Sequence, residues 1–193
     1  MNGNFDPIAT LRLTLTAPRQ GARAVLNLGL TQGERLGLLA LVAILNVLAV
    51  EAFVAVAPEP PEAMLASFLD RPLAFAGMQI GGILLMTGLV HGVGRLFGGR
   101  GQGAGALVVV IWLQVILLLL QLAQVLAMLV LPPLTVLIGL ASLGALFWLL
   151  PNFVAELHGF QSVGLTFVGM IGTVVVVSLL LGLALATILS AGA

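Results

Sequence analysis

The sequence predicts an all-α, polytopic membrane protein: five transmembrane helices behind a short amphipathic N-terminus. Three observations carry this. Hydrophobic residues fill 61 % of the 193 positions and charged residues only 7 %, against about 25 % charged in a soluble domain. The apolar residues gather into five runs, each near or above the ~20 residues that a bilayer-spanning helix needs. Within them, Val115–Leu120 is continuously apolar and Val174–Leu181 is interrupted only by Ser178, without the alternation of a barrel strand.

The same figures exclude several functions. Disorder requires low hydrophobicity. The absence of Cys removes disulfide frameworks and thiolate metal sites. Seven basic residues against seven acidic ones leave no net charge, unlike a nucleic-acid-binding surface.

Residues 1–33 read as a cytoplasmic amphipathic segment and 34–193 as the membrane domain. The opening residues lack the 7–15-residue apolar core of a signal peptide. Asp6-Pro7 reads as a helix cap and first helical residue, after which Ile8, Leu11 and Leu15 share a face. The alternation Leu11-Arg12-Leu13-Thr14-Leu15 also fits a strand, but an isolated strand has no ladder partner. A second start at Ala17-Pro18 turns Ala22, Val25 and Leu26 inward and Arg19 and Arg23 outward. Two short helices lying on the inner membrane surface fit this pattern.

The spans are Leu36–Ala57, Pro72–Phe97, Ala104–Leu131, Leu134–Leu157 and Val163–Leu189. Thr31-Gln32-Gly33-Glu34 has the form of a capping box before the first, and Pro58-Glu59-Pro60-Pro61 stops it. Asp70-Arg71-Pro72 opens the second span and the glycine-rich run from Gly98 closes it. Pro132-Pro133 reverses the chain between the third and fourth, and His158-Gly159-Phe160 ends the fourth. Six of the seven Arg flank one side, and Arg71 alone the other. The positive-inside rule then puts the N-terminus in the cytoplasm and the C-terminus outside.

Polar groups inside a membrane need a partner or a purpose. Glu51 lies near the outer end of span one, with Arg71 its nearest candidate cation. Gln114, Gln121 and Gln124 form a stripe on span three, with Asn46 and Gln79 as candidate partners. The stripe reads as interhelical hydrogen bonding or, in a channel, as a pore lining. Gly77, Gly81, Gly88 and Gly92 line one face of span two, and Ser178, Gly182, Ala186 and Ser190 repeat the device on span five. Such small-residue stripes pack within the fold or between copies. At the inner membrane face, His91, Arg95 and Arg100 are expected to meet Asn152, Glu156 and His158 in a structural polar network, with Glu156 paired to Arg95, Arg100 or His91. No catalytic constellation, cofactor site or metal site is expected: there is no G-x-S-x-G elbow, no H-E-x-x-H spacing, and the Gly98–Gly105 run lacks the G-K-[ST] of a phosphate loop.

Three segments carry a resemblance to a known family. They are His91-Gly92-Val93-Gly94-Arg95-Leu96-Phe97-Gly98-Gly99-Arg100-Gly101, Ile111-Trp112-Leu113-Gln114, and Asn152-Phe153-Val154-Ala155-Glu156-Leu157-His158-Gly159-Phe160. With the Pro-led N-terminal segment and five closely spaced helices, the chain resembles the bacterial Yip domain family over about residues 10–190. The resemblance implies a five-span fold in a bacterial inner membrane rather than any agreed activity. Eukaryotic members are linked to Rab GTPases through a longer cytosolic region. Only about 30 residues precede span one here, so GTPase binding is not expected. The expected function is a non-enzymatic protein that organises membrane lipid or partner proteins, as a scaffold, homo-oligomer or accessory subunit of a larger complex. The alternative is a small channel or transporter using Glu51 and the Gln114/Gln121/Gln124 stripe.

Overall fold

The computed structural model describes residues 5–58 and 63–191, and among these residues every regular element is helical. The elements are α1 (Pro7–Thr16), α2 (Pro18–Leu26), α3 (Gln32–Val56), α4 (Ala63–Leu69), α5 (Pro72–Leu96), α6 (Gly103–Val130), α7 (Leu134–His158) and α8 (Val163–Ala191). Helices α3, α5, α6, α7 and α8 are long and apolar enough to cross a membrane.

Local chemistry explains most boundaries. Asp6 caps α1, its Oδ1 accepting from the Ile8 and Ala9 N–H groups at 2.9 and 3.0 Å. Ala17 is at once the C-cap of α1 and the N-cap of α2, and Pro18 starts α2 where a missing N–H costs nothing. The capping box of α3 is complete. The Thr31 hydroxyl accepts from the Glu34 N–H, and the Glu34 carboxylate accepts from the Thr31 N–H at 2.7 Å. α3 ends at Val56, ahead of Pro58; the remaining stop residues, Glu59 to Pro61, lie outside the described residues. The short α4 was not expected: seven residues are below the length a periodicity argument can detect. Gly159 closes α7 in the left-handed conformation at φ 73°, the region glycine favours.

α6 is the central post. It packs on α3, α5, α7 and α2, whereas α8 docks mainly on α7. One cluster joins Ala22 and Val25 of α2, Val108, Val109, Trp112, Leu113 and Ile116 of α6, and Leu149 and Phe153 of α7. A second joins Leu39, Val42 and Ala43 of α3, Ile83 of α5, and Val110 and Ile111 of α6. Most of the remaining apolar surface faces outward, including Leu84, Leu85, Leu179 and Leu180, as suits helices whose solvent is hydrocarbon.

The N-terminal pair lies against one end of this bundle. α2 buries Ala22 and Val25, as its pattern predicts. In α1, Thr10 and Thr14 face the protein and Leu11 packs beside them on the core, while Ile8 is 78 % exposed and Leu15 48 %. The buried threonines satisfy their hydroxyls on the carbonyls of Asp6 and Thr10. Ile8 and Leu15 leave exposed apolar surface on α1 for an interfacial layer, while Leu11 packs against the bundle.

Candidate functional site

The polar groups of the chain concentrate at the end of the bundle covered by α1 and α2. Glu156, in the last turns of α7, is the acid at its centre. Its Oε2 accepts from Arg19 Nε at 3.1 Å and its Oε1 from Arg23 Nε at 2.6 Å. Arg19 NH2 also donates to the Phe160 carbonyl at 3.1 Å, just past the end of α7. One carboxylate therefore receives two cations spaced one turn apart on α2, a separation that places both on one side of that helix. The hydrogen bond to Glu156, and then its charge, hold the Arg23 guanidinium above its usual pKa. A second tie lies deeper, where the Trp112 indole N–H donates to Thr14 Oγ1 at 3.0 Å. Gly21 lets α2 approach this point, since a Cβ there would overlap Thr14.

His158, the last residue of α7, joins three other segments. The Gly101 N–H donates to its Nδ1 at 3.2 Å. Nδ1 therefore offers a lone pair, and the proton sits on Nε2, which donates to the Val90 carbonyl at 3.1 Å. The Arg100 N–H donates to the His158 carbonyl at 3.2 Å, and Phe160 stacks on the imidazole. Three glycines make room for the ring: a Cβ at Gly94, Gly99 or Gly101 would run into it. The glycine-rich loop after α5 is thus a fitted cradle rather than a free linker.

Several expectations are corrected here. Glu156 pairs with Arg19 and Arg23 rather than with Arg95, Arg100 or His91. Asn152 does not join that pair; its amide donates to the Trp148 carbonyl of its own helix at 2.8 Å. Arg100 reaches His158 only through its backbone. Arg95 is exposed, and His91 has a buried Nδ1 without a hydrogen-bond partner among the described residues. His91 instead lies beside Gly103 at the start of α6.

Glu51 forms no ion pair with Arg71 among the described residues. The packed contacts between α3 and α5 run through Leu39, Val42, Ala43 and Ile83, the nearest about two turns from Glu51 along α3. Gly77, Gly81, Gly88 and Gly92 do not pack against other described residues. Each is exposed, and a Cβ on any of them would meet nothing within 4 Å among the described residues. α5 buries Phe75, Ile83 and Gly94 instead, a different face. Ser178, Gly182, Ala186 and Ser190 of α8 are likewise exposed.

The glutamine stripe divides. Gln121 and Gln124 line an open cavity of about 470 Å³ with Phe53, Gly139, Ser142 and Leu146. Gln124 also donates to the Thr135 carbonyl at 3.2 Å. Gln114 lies outside this cavity, and no hydrogen bond links the stripe to Asn46 or Gln79 among the described residues. No three His, Asp or Glu converge as metal ligands among the described residues.

Sequence reasoning missed Arg19 and Arg23 as the partners of Glu156, and Thr14 as the partner of Trp112. The detectable signal was a pair of Arg one turn apart on a helix whose other face is apolar.

Comparison with known proteins gives one result. The family model of the Yip1 domain matches residues 12–186, which includes α2 to α7, most of α8 and the His158 cradle. No curated protein and no solved structure shows a significant match.

Proposed function

The chain belongs to the Yip1 domain family, and from that premise we propose that it is a non-enzymatic membrane protein that organises lipid or partner proteins at the end of the bundle where α1 and α2 lie. The observation that carries this reading is the latch of Arg19 and Arg23 on Glu156. It fastens an amphipathic helix pair to a multi-pass bundle, with Ile8 and Leu15 of α1 left exposed. The titratable groups there have structural work: Glu156 binds two cations, and both ring nitrogens of His158 are taken by backbone groups. The excess of Arg at that end supports a cytoplasmic placement for it, in a bacterial inner membrane. The same features suit a scaffold and an accessory subunit of a larger complex.

Purification from native membranes in mild detergent tests the reading. Wild type should bring down a membrane partner or a second copy, and Glu156→Gln, which loosens the latch, should recover less. A monomer without partner in both cases would overturn it.

One observation favours a second reading, transport of a small solute. It is the cavity lined by Gln121, Gln124 and Ser142. Flux into liposomes that is lost on Gln121→Leu and on Glu51→Gln would establish that reading in place of the first.

A further inference from the structure

The ion pairs at the α1–α2 end leave Arg12, Arg35, Arg95 and Arg100 without a carboxylate among the described residues. Glu156 is occupied by Arg19 and Arg23, and the Glu34 carboxylate by the backbone and hydroxyl of Thr31. Arg35 and Arg100 have no ion pair among the described residues, yet both line one open cavity of about 330 Å³. Among the described residues no acidic side chain lines it. Arg35 comes from the first turn of α3 and is held at the rim by one hydrogen bond, from NH1 to the Leu30 carbonyl at 2.8 Å; a guanidinium has further donors to offer. Arg100 comes from the loop after α5, whose backbone is fixed on His158. The two cations therefore stand on separately anchored elements and bring positive charge to one cavity.

The rest of the lining defines the anion's chemistry. Val25, Leu26, Val108 and Leu157 supply an apolar wall, and Gln102 a polar edge before the start of α6. Guanidinium groups match the oxygens of a phosphate in a bidentate fork. A free inorganic anion has no use for the apolar wall, whereas a molecule with a phosphate and a hydrocarbon body uses both. The cavity opens where the apolar helices end, beside the amphipathic α2, which is headgroup depth for a helix lying at the interface.

We propose that this cavity is a binding site for an anionic phospholipid, with its phosphodiester between Arg35 and Arg100 and its glycerol and first methylenes along Leu26, Val108 and Leu157. The proposal deepens the organising role above by naming a ligand, and it rests on that reading only for the position of this end in the bilayer.

The test uses the full chain in a neutral maltoside detergent, with phosphatidylglycerol as the probe and native mass spectrometry and thermal shift as readouts. Wild type should retain one phosphatidylglycerol and gain thermal stability from it. Arg100→Gln should weaken retention by at least about tenfold, the loss of a charge-assisted hydrogen bond. Ala104→Phe should block retention with every charge in place, which separates filling the cavity from removing its charge. Arg95→Gln, an exposed arginine outside the lining, should retain the lipid as wild type does. Equal losses in Arg95→Gln and Arg100→Gln would overturn the proposal in favour of diffuse surface charge. Equal protection by phosphatidylcholine, or by inorganic phosphate alone, would overturn the assignment to an anionic lipid. Partner recovery, measured as above, reads the organising role separately, so either result can fail while the other stands.

Discussion

Removing the charge of Glu156 should release α2 from the bundle without unfolding the transmembrane helices. The magnitude follows from exposure. The Glu156 side chain is only 10 % exposed, while Arg19 is 36 % and Arg23 64 % exposed. Breaking a fully buried pair costs about 3–5 kcal/mol, and an exposed pair is worth about 0–1 kcal/mol. A shielded acid with wetter cations lies between, so Glu156→Gln should cost about 2 kcal/mol. For a chain of this length that is a fall of roughly 4–8 °C in Tm. Arg19→Gln should cost more than Arg23→Gln, because Arg19 also holds the Phe160 carbonyl. The double variant Glu156→Gln with Arg19→Gln should fall short of the sum by about 1 kcal/mol, the coupling of contacting groups. The chain lacks Cys, so a single spin label at Gln20→Cys reports α2 directly. In wild type its spectrum should be that of an ordered helix, and in Glu156→Gln the label should become mobile while circular dichroism stays unchanged. Additive losses in the double variant, or an unchanged label, would refute the latch.

Three further outcomes are expected. Gly94→Ala and Gly99→Ala should each lower Tm in detergent, because the added Cβ runs into the His158 ring; overpacking of this kind costs about 1–3 kcal/mol. Thr14→Val should cost about 1–3 kcal/mol, by leaving the buried Trp112 N–H without its acceptor, and Trp112→Phe in that background should restore part of the loss. Gly77→Ala with Gly88→Ala should leave the monomer as stable as before or up to about 0.5–1 kcal/mol more stable per site, since neither Cβ meets a neighbour; size-exclusion and thermal melts check this, and a destabilised monomer would show that the stripe packs within the fold after all.

How far the sequence reveals this molecule depends on which force sets each feature. The transmembrane helices are legible because hydrocarbon demands long apolar runs, and Thr31, Pro72 and Gly159 mark ends through chemistry that acts within one turn. α4 was invisible because seven residues between two spans leave no periodic trace. The inward face of α1 was not legible because amphipathicity says only that two faces differ. In water the apolar face turns inward, but beside a membrane it can turn outward, and here Thr10 and Thr14 pack inward with their hydroxyls satisfied on the helix backbone. The same ambiguity applies to Gly77, Gly81, Gly88 and Gly92, where spacing shows a face suited to close approach without showing what approaches it.

The pairing of Glu156 was decidable in principle from one angle. Six arginines lie toward this end of the chain's spans, and charge alone cannot choose among them. Glu156 and His158 are two residues apart on α7, hence about 200° apart around its axis. They cannot face the same neighbour. His158 faces α5, where the Val90 carbonyl and the gap left by Gly94 receive its ring. Glu156 must then face away from α5 and its Arg95. Phe153 is three residues before Glu156 and so shares its side of α7, and Phe153 is buried in the cluster that holds Ala22 and Val25 of α2. The packing of α2 thus carries Arg19 and Arg23 over the one carboxylate that needs cations. It also leaves Arg35 and Arg100 without an acid, so the same helix placement that satisfies Glu156 creates the unmatched positive charge at the cavity beside it.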